Sequence, residues 1–347
     1  MPCRWPPAND SAHKLKGDLH ETPLSLTVLA LTSTATLASA QNDPRLAEVA
    51  EFFATADILA GPEVVDCTLS EGTQTECFQI TLTADPQTYT PGPWCPTDIS
   101  DGAEAGGIWF LEGETVDVTG DFITRLADIY SDTNWQLYDT DTGDIRYTGT
   151  LAECEAAARP DVDPDYQNYC VQCLPETLPE EMVVTYVIPF EPVEAERAAE
   201  TGMTGSGVAY NGVRLDGPAP VDAILGAYTI APFDDCGGHV NPHVGYHYHA
   251  VTDCLDDVPG AAQTAEEGAQ IGIAMDSHSI FPHLLADGTA PADLDQCNGR
   301  VGDNGIYRYH VGEAGSNAIL GCLTAQAGCT LNDANAICDA SVRRPRP

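Results

Sequence analysis

Twelve cysteines follow residue 40 (Cys67, Cys77, Cys95, Cys154, Cys170, Cys173, Cys236, Cys254, Cys297, Cys322, Cys329 and Cys338), and an even set of that size limits the fold more than any other feature of the chain. Upstream, Leu24 to Ala38 is a short apolar stretch diluted by threonine and serine, and Ala38-Ser39-Ala40 satisfies the small-x-small rule for signal peptidase. Residues 1–40 are therefore expected to be an export signal, too short and polar to span a bilayer, removed together with Cys3 to leave mature Gln41. In an exported chain an even cysteine set reads as a disulfide framework. The local pairs Cys67–Cys77, Cys236–Cys254, Cys297–Cys322 and Cys329–Cys338 are favoured because short loops close at least entropic cost, and the other pairings stay open. Cys170-Val-Gln-Cys173 has no second CxxC for zinc and no βαβ pattern for thioredoxin-like chemistry, so it too reads as structural.

The charge narrows the partners. With 53 acids against 14 bases and a net charge of −39, the chain repels a phosphate backbone and an anionic bilayer alike. Nucleic acid is excluded as a partner on this reading, as is membrane insertion after signal removal, and the expected location is secreted or periplasmic. Both lysines, Lys14 and Lys16, fall in the signal, so the mature chain has no lysine for a Schiff base, a P-loop or general-base work. No Gly-x-Ser-x-Gly elbow, dinucleotide fingerprint or His-Glu-x-x-His helix is present.

Periodicity organises the rest. Apolar residues at three- and four-residue spacing predict one helix over Asp43 to Ala60, and alternation predicts a strand from Cys77. Short helices are expected over Phe122 to Tyr130 and Leu151 to Ala158, a hairpin over Trp135 to Thr148, and a strand over Met182 to Pro189. Asp139 to Asp144 alternates aspartates as a calcium loop does, but Gly143 comes one place early and Thr150 stands where the bidentate glutamate belongs, so a plain acidic turn is favoured. The Pro- and Glu-rich stretch from Pro175 separates an N-terminal α+β region, 41–180, from a second region, 181–325, with a short disulfide-containing tail at 326–347.

Seven of the nine histidines lie between His239 and His310, inside an internal repeat. Cys236-Gly-Gly-His239 with Tyr246-His247-Tyr248-His249 matches Cys297-Asn-Gly-Arg300 with Tyr307-Arg308-Tyr309-His310 at an offset of 61, and Gly207-Val-Ala-Tyr-Asn matches Gly272-Ile-Ala-Met-Asp at 65. The half-repeats are placed at 207–254 and 272–322 and should superpose, with their Tyr-x-Tyr-His strands close together. Strand period puts His247 and His249 on one face and Tyr246 and Tyr248 on the other, which lets two imidazoles meet one ion.

The segments GVAYNGV, CGGH, GYHYH, the Asp276 segment and DLDQCNGR with its following Tyr-x-Tyr-His resemble the YHYH domain family over roughly Val183 to Cys322. The resemblance implies an exported protein; it does not by itself imply an activity. After Asp276 the chain departs from the family pattern, with Ser277-His278-Ser279-Ile280-Phe281-Pro282-His283 in place of a Gly-aromatic-Pro segment.

The expected fold is therefore α+β and β-rich, disulfide-stapled, with a duplicated, pseudo-two-fold YHYH region. Its expected site is a transition-metal centre, zinc or copper first and iron also admissible, held by His247, His249 and His310 with His239 as fourth ligand. Asp276 and Asp295 are candidate bases or imidazole orienters, and Arg300 and Arg308 candidate anion-binding groups. Three functions follow: a metal-dependent hydrolase acting on a small anionic extracellular molecule or polymer, a non-catalytic extracellular binding or structural module, and a copper-handling or redox protein. The charge itself generates one expectation. The mature chain keeps 50 acids against 11 arginines, so molar sodium chloride should raise its melting temperature above that in dilute buffer; an unchanged value would remove self-repulsion as a significant destabilising force.

Overall fold

Asp43 caps the first helix by accepting a hydrogen bond from the Arg45 amide at 2.9 Å, with Pro44 pre-set at the first helical position. The computed structural model describes residues 43–159, 161–178, 182–201, 205–255, 263–264 and 266–342; the expected export signal and the basic end from Arg343 lie outside the described residues. The first helix ends at Phe52, well before Ala60. Gly61 explains the difference, because its positive φ and the 2.5 Å approach that a Cβ there would make to the Gln79 carbonyl belong to a strand pressed against its neighbour.

That strand, β1 (Ile58–Thr68), pairs antiparallel with β2 (Gln74–Thr83). A short hairpin of β3 (Ile108–Leu111) and β4 (Glu114–Asp117) follows. Next come β5 (Val183–Pro189) and β6 (Glu194–Ala199), then β7 (Gly207–Ala209), β8 (Arg214–Leu215), β9 (Gly238–Asn241) and β10 (Gly245–Tyr248). The chain continues through β11 (Gln263–Thr264), β12 (Gly268–Ala269), β13 (Gly272–Ala274), β14 (Ser279–Phe281), β15 (Gly299–Val301) and β16 (Tyr307–His310), and ends with β17 (Leu323–Ala325) and β18 (Cys329–Leu331). Helices are short: the stretch expected as one helix from Phe122 breaks at Arg125 into Gly120–Thr124 and Leu126–Ile129, and Leu151–Ala157 carries a Thr150/Glu153 capping box. The expected hairpin over Trp135 to Thr148 is a single bridge, Tyr138 to Ile145.

Two sheets dominate. The first has the order β1-β2-β5-β18, all antiparallel, and so draws strands from both sides of the Pro175 stretch and from the C-terminal tail. The second has eight strands in the order β15-β16-β14-β13-β7-β8-β10-β9. Outward from the antiparallel β7–β13 pair at its centre, each side continues with an antiparallel, a parallel and an antiparallel pairing. The two Tyr-x-Tyr-His strands are therefore not close together, contrary to expectation. Four strands separate β10 from β16, on the order of 24 Å at the usual inter-strand spacing.

Six disulfides cross-link this β-rich framework. The four local pairs form as the loop argument expects, and Cys95–Cys170 and Cys154–Cys173 join them, so the CxxC cysteines serve two different bridges. Cys95–Cys170 spans 75 residues and Cys329–Cys338 only 9. Chain entropy makes removal of the first cost about 4.5 kcal/mol and of the second about 2.5 kcal/mol. Denaturant titration of the paired Cys→Ala variants should rank them in that order, and the reverse order would show that native packing rather than loop closure sets their contribution.

Candidate metal centre

The β9–β10 hairpin is built to bring three imidazoles to one point. Asn241 accepts from the amides of His243 and Val244 at 2.8 and 3.0 Å, which tightens the turn, and Gly245 takes a positive φ at its exit. The resulting register sets His239 directly opposite His247, and strand period places His249 next along the same face. Gly237 fixes the other end. Its φ is +85°, a Cβ would sit 2.4 Å from the Ala250 carbonyl, and its own carbonyl accepts from the His249 amide at 2.9 Å. The Cys236–Cys254 disulfide brackets all three histidines.

The ring centroids form a nearly equilateral triangle, with His239 to His247 and His247 to His249 both 4.8 Å and His239 to His249 5.0 Å. One nitrogen from each ring lies within 4.8 Å of the others, close enough to converge on a single ion. Nδ1 of His249 is 2.7 Å from the Gly217 carbonyl and Nδ1 of His247 is 3.0 Å from the Gly245 carbonyl. A carbonyl oxygen only accepts, so both Nδ1 atoms carry the proton and both Nε2 atoms keep a lone pair, the tautomer a metal requires. Asn241 Nδ2, 3.4 Å from His247 Nε2, is a donor that an ion would displace. Phe233 closes the apolar side, with its ring 4.9 Å from His239 and 5.5 Å from His249 and stacked on Phe110 and Trp109 behind.

Burial and the neighbouring rings push the protonation of His239 well below the ordinary 6.5, as they do for His247. Burial lowers His249 too, with Asp216 and the Gly217 carbonyl pulling the other way. Three neutral imidazoles thus stand at the wall of a cavity of about 500 Å³, whose polar lining includes Arg214, Asp216 and Asn241 and whose apolar lining includes Trp94 and Ile224. Arg214 lies beside His247 in the parallel register of β8 and β10 and bonds Asp216 at 2.9 Å.

Residues 185–291 match the family model described as YHYH protein. This chain carries a YHYH domain. The match spans less than half of the chain, and neither the curated proteins nor the solved structures compared with it give a match.

Of the four histidines expected to share an ion, the YHYH domain brings together three. His310 sits on β16 at the far side of the sheet, its Nε2 2.8 Å from Glu267 and its Nδ1 2.7 Å from the Pro282 carbonyl. The strand order puts β10 and β16 on opposite flanks of the central β7–β13 pair, and so separates their histidines, which alignment of the two sequence segments alone does not reveal. The four residues expected to act beside the metal do not line its cavity either. Asp276 accepts from the Tyr309 hydroxyl and the Ala325 amide, and Asp295 from the Cys297 and Gly299 amides and the Tyr307 hydroxyl. Arg300 pairs with Glu266, Glu267 and Asp293, and Arg308 with Glu267. The sequence reading missed Asp216 and Asn241. Asn241-Pro242 is a turn signal that marks the hairpin, whereas nothing local marks Asp216.

The lowered histidines give the metal-free protein a defined pH response. A base that is neutral when folded and protonated when unfolded supplies stability in full above pH 6.5, and that stability is lost as pH falls below 6.5 toward the folded value. Denaturant titrations of chelator-treated protein from pH 7.5 to 5 should therefore show a fall that His247→Gln makes shallower by about 1.4 kcal/mol per pH unit. Equal slopes in the two proteins would mean that His247 is not held neutral.

Proposed function

We propose that the YHYH domain holds one transition-metal ion, zinc or copper(II) in first place and iron in second, at His239, His247 and His249, and that it serves hydrolysis of a small anionic extracellular substrate. The observation that carries this reading is the convergence of three neutral imidazoles, two oriented by backbone carbonyls, on a cavity large enough for a small molecule. Three protein ligands beside open space fit the pattern of a catalytic site, since structural sites close with a fourth. A bound ion would polarise an ester oxygen or lower the pKa of a bound water. The chain's own part is to position and to select. Arg214 attracts a carboxylate, phosphate or sulfate group into the cavity, a role that the sequence suggests for Arg214, Arg300 and Arg308 alike, and Asp216 holds the guanidinium in place. Trp94 and Ile224 shape the apolar wall. Six disulfides suit an extracellular setting, and no described helix is long and apolar enough to cross a membrane.

We also infer that the two halves of the eight-stranded sheet descend from one duplicated unit related by a pseudo-two-fold axis through Val208 and Ile273. The strand order reads alike from both ends, and equivalent bonds recur at the 61 and 65 offsets. His249 Nδ1 meets the Gly217 carbonyl as His310 Nδ1 meets that of Pro282, and Asp234 accepts from Gly238 and Tyr246 as Asp295 does from Gly299 and Tyr307. Positive φ occurs at Gly212 and Ser277 and at Gly237 and Asn298, in the same turns.

Elemental analysis of untagged protein should find one transition metal per chain, and it should be lost in His239→Ala, His247→Ala and His249→Ala while His310→Ala retains it. Arg214→Gln should raise KM for small anionic esters by about tenfold or more, in line with the loss of one charge-assisted bond. Failure to take up metal on reconstitution, or retention in all four variants, would leave the non-catalytic binding module as the better account.

A further inference from the structure

Counted by the repeat, Arg300, Arg308 and His310 stand where His239, His247 and His249 stand in the other half. Arg300 pairs with Arg308 across β15 and β16 as His239 pairs with His247 across β9 and β10. The chemistry is inverted, because a guanidinium has donors and no lone pair to offer an ion. At the point these three side chains face lies a carboxylate. Glu267 Oε1 is 2.8 Å from Arg300 Nη1 and 3.2 Å from Arg308 Nη1, Oε2 is 2.8 Å from His310 Nε2, and both Glu267 and His310 are wholly buried. A Cβ at Gly302 would lie 2.6 Å from the Arg308 guanidinium, so the cage is closed from that side as well. Counting back 65 residues from Glu267, the sequence has Gly202 and no carboxylate, and the described neighbour Thr201 lines the open cavity of the metal half.

We infer that Arg300, Arg308 and His310 are the counterpart of the three-histidine centre converted into a carboxylate receptor, which the chain fills with its own Glu267. One half therefore keeps an open cavity facing lone pairs, and the other keeps a filled cage in which two guanidinium groups donate to the carboxylate and one proton is held between His310 Nε2 and Glu267 Oε2. The two cannot exchange ligands: the first takes a metal ion, the second a carboxylate. The inference rests on the duplication reading and not on hydrolysis, and its test does not require metal to bind at His239, His247 and His249.

The test is chemical rescue. Glu267→Ala leaves two buried guanidinium groups and an imidazole around an empty carboxylate position, so its melting temperature should fall on the order of 10 °C. Sodium acetate should restore several degrees of that loss relative to sodium chloride at equal ionic strength, should do nothing for the wild type, and should lose its advantage over chloride in the Glu267→Ala, His310→Ala double variant. Equal recovery in acetate and chloride would overturn the inference, because the cage would then sense ionic strength alone. Should Glu267→Ala be recovered only from inclusion bodies, the refolded yield in the two salts gives the same comparison. A second measurement uses the wild type as it stands: with excess zinc, no equivalent should depend on His310, and a bound equivalent that His310→Ala removes would also overturn it.

Discussion

Three residue pairs, Ala209 with Gly272, Val208 with Ile273 and Gly207 with Ala274, join the two four-stranded halves of the central sheet. Their flanks are tied in the same symmetric sense, by Tyr210 N to the Ile271 carbonyl at 2.9 Å and Met275 N to the Ser206 carbonyl at 3.0 Å. The seam tolerates no bulk at its edges, since a Cβ on Gly207 would come within 2.4 Å of the Ile273 carbonyl. Val208 and Ala274 are fully buried, and the seam holds the sheet without lending a side chain to the cavity beside the three histidines. An antiparallel pairing at the centre also fixes where the two histidine-bearing strands go: outward, on opposite flanks.

Within the three-histidine half, β10 maintains two environments through its period of two. His247 and His249 face the cavity, and Tyr246 and Tyr248 face a buried hydroxyl chain on the reverse side. Tyr246 bonds Asp234 at 2.8 Å, Tyr89 bonds Tyr246 and Tyr248 at 2.8 and 2.6 Å, and Asn211 Nδ2 donates to Tyr248 at 2.9 Å. Each hydroxyl has one hydrogen, so the chain can run in only one direction, from Asn211 through Tyr248, Tyr89 and Tyr246 to the carboxylate. Burial pushes Asp234 up, and four backbone and hydroxyl donors from Gly92, Gly238, Tyr246 and Cys236 work against it. In the other half Asp276 stands in the place of Asn211, and Tyr309 donates to it at 2.7 Å. One amide-to-acid difference thus reverses the direction of the bond while the strand beneath it keeps its course.

How much of this was legible in the sequence depended on range. The local disulfides, the start of the first helix, the strands at Cys77 and Val183, and the meeting of His247 with His249 all follow from spacing within some twenty residues, where loop entropy and backbone period decide. His239 required the hairpin register, which Asn241-Pro242 and Gly245 set and the sequence marks. His310 does not join them because a match between two sequence segments says nothing of where their strands lie in a sheet, and the order observed sets β10 and β16 on opposite flanks. Arg300 and Arg308 were read as anion-binding groups on sound chemistry, but the anion is Glu267, in a segment that carries no repeat signal and that nothing local connects to β15 or β16.

The placement of charge then makes sense of a chain with so few bases. In water the excess of acids is tolerable, because surface carboxylates remain hydrated and screened. Inside, a carboxylate without donors would be prohibitive, and the three most deeply enclosed acids are met in different ways. Asp234 and Asp276 are satisfied by amides and tyrosine hydroxyls, which stabilise an anion without requiring a second buried charge. Glu267 is met by two guanidinium groups and an imidazole, so two of the few arginines stand within the fold rather than on its surface. Arg214 is the buried cation of the three-histidine half, paired with Asp216 yet on the wall of an open cavity. On the reading proposed above, this buried cation beside the three histidines is what would let so acidic a chain admit an anion, because contacts at hydrogen-bond range outlast the screened field of the surface.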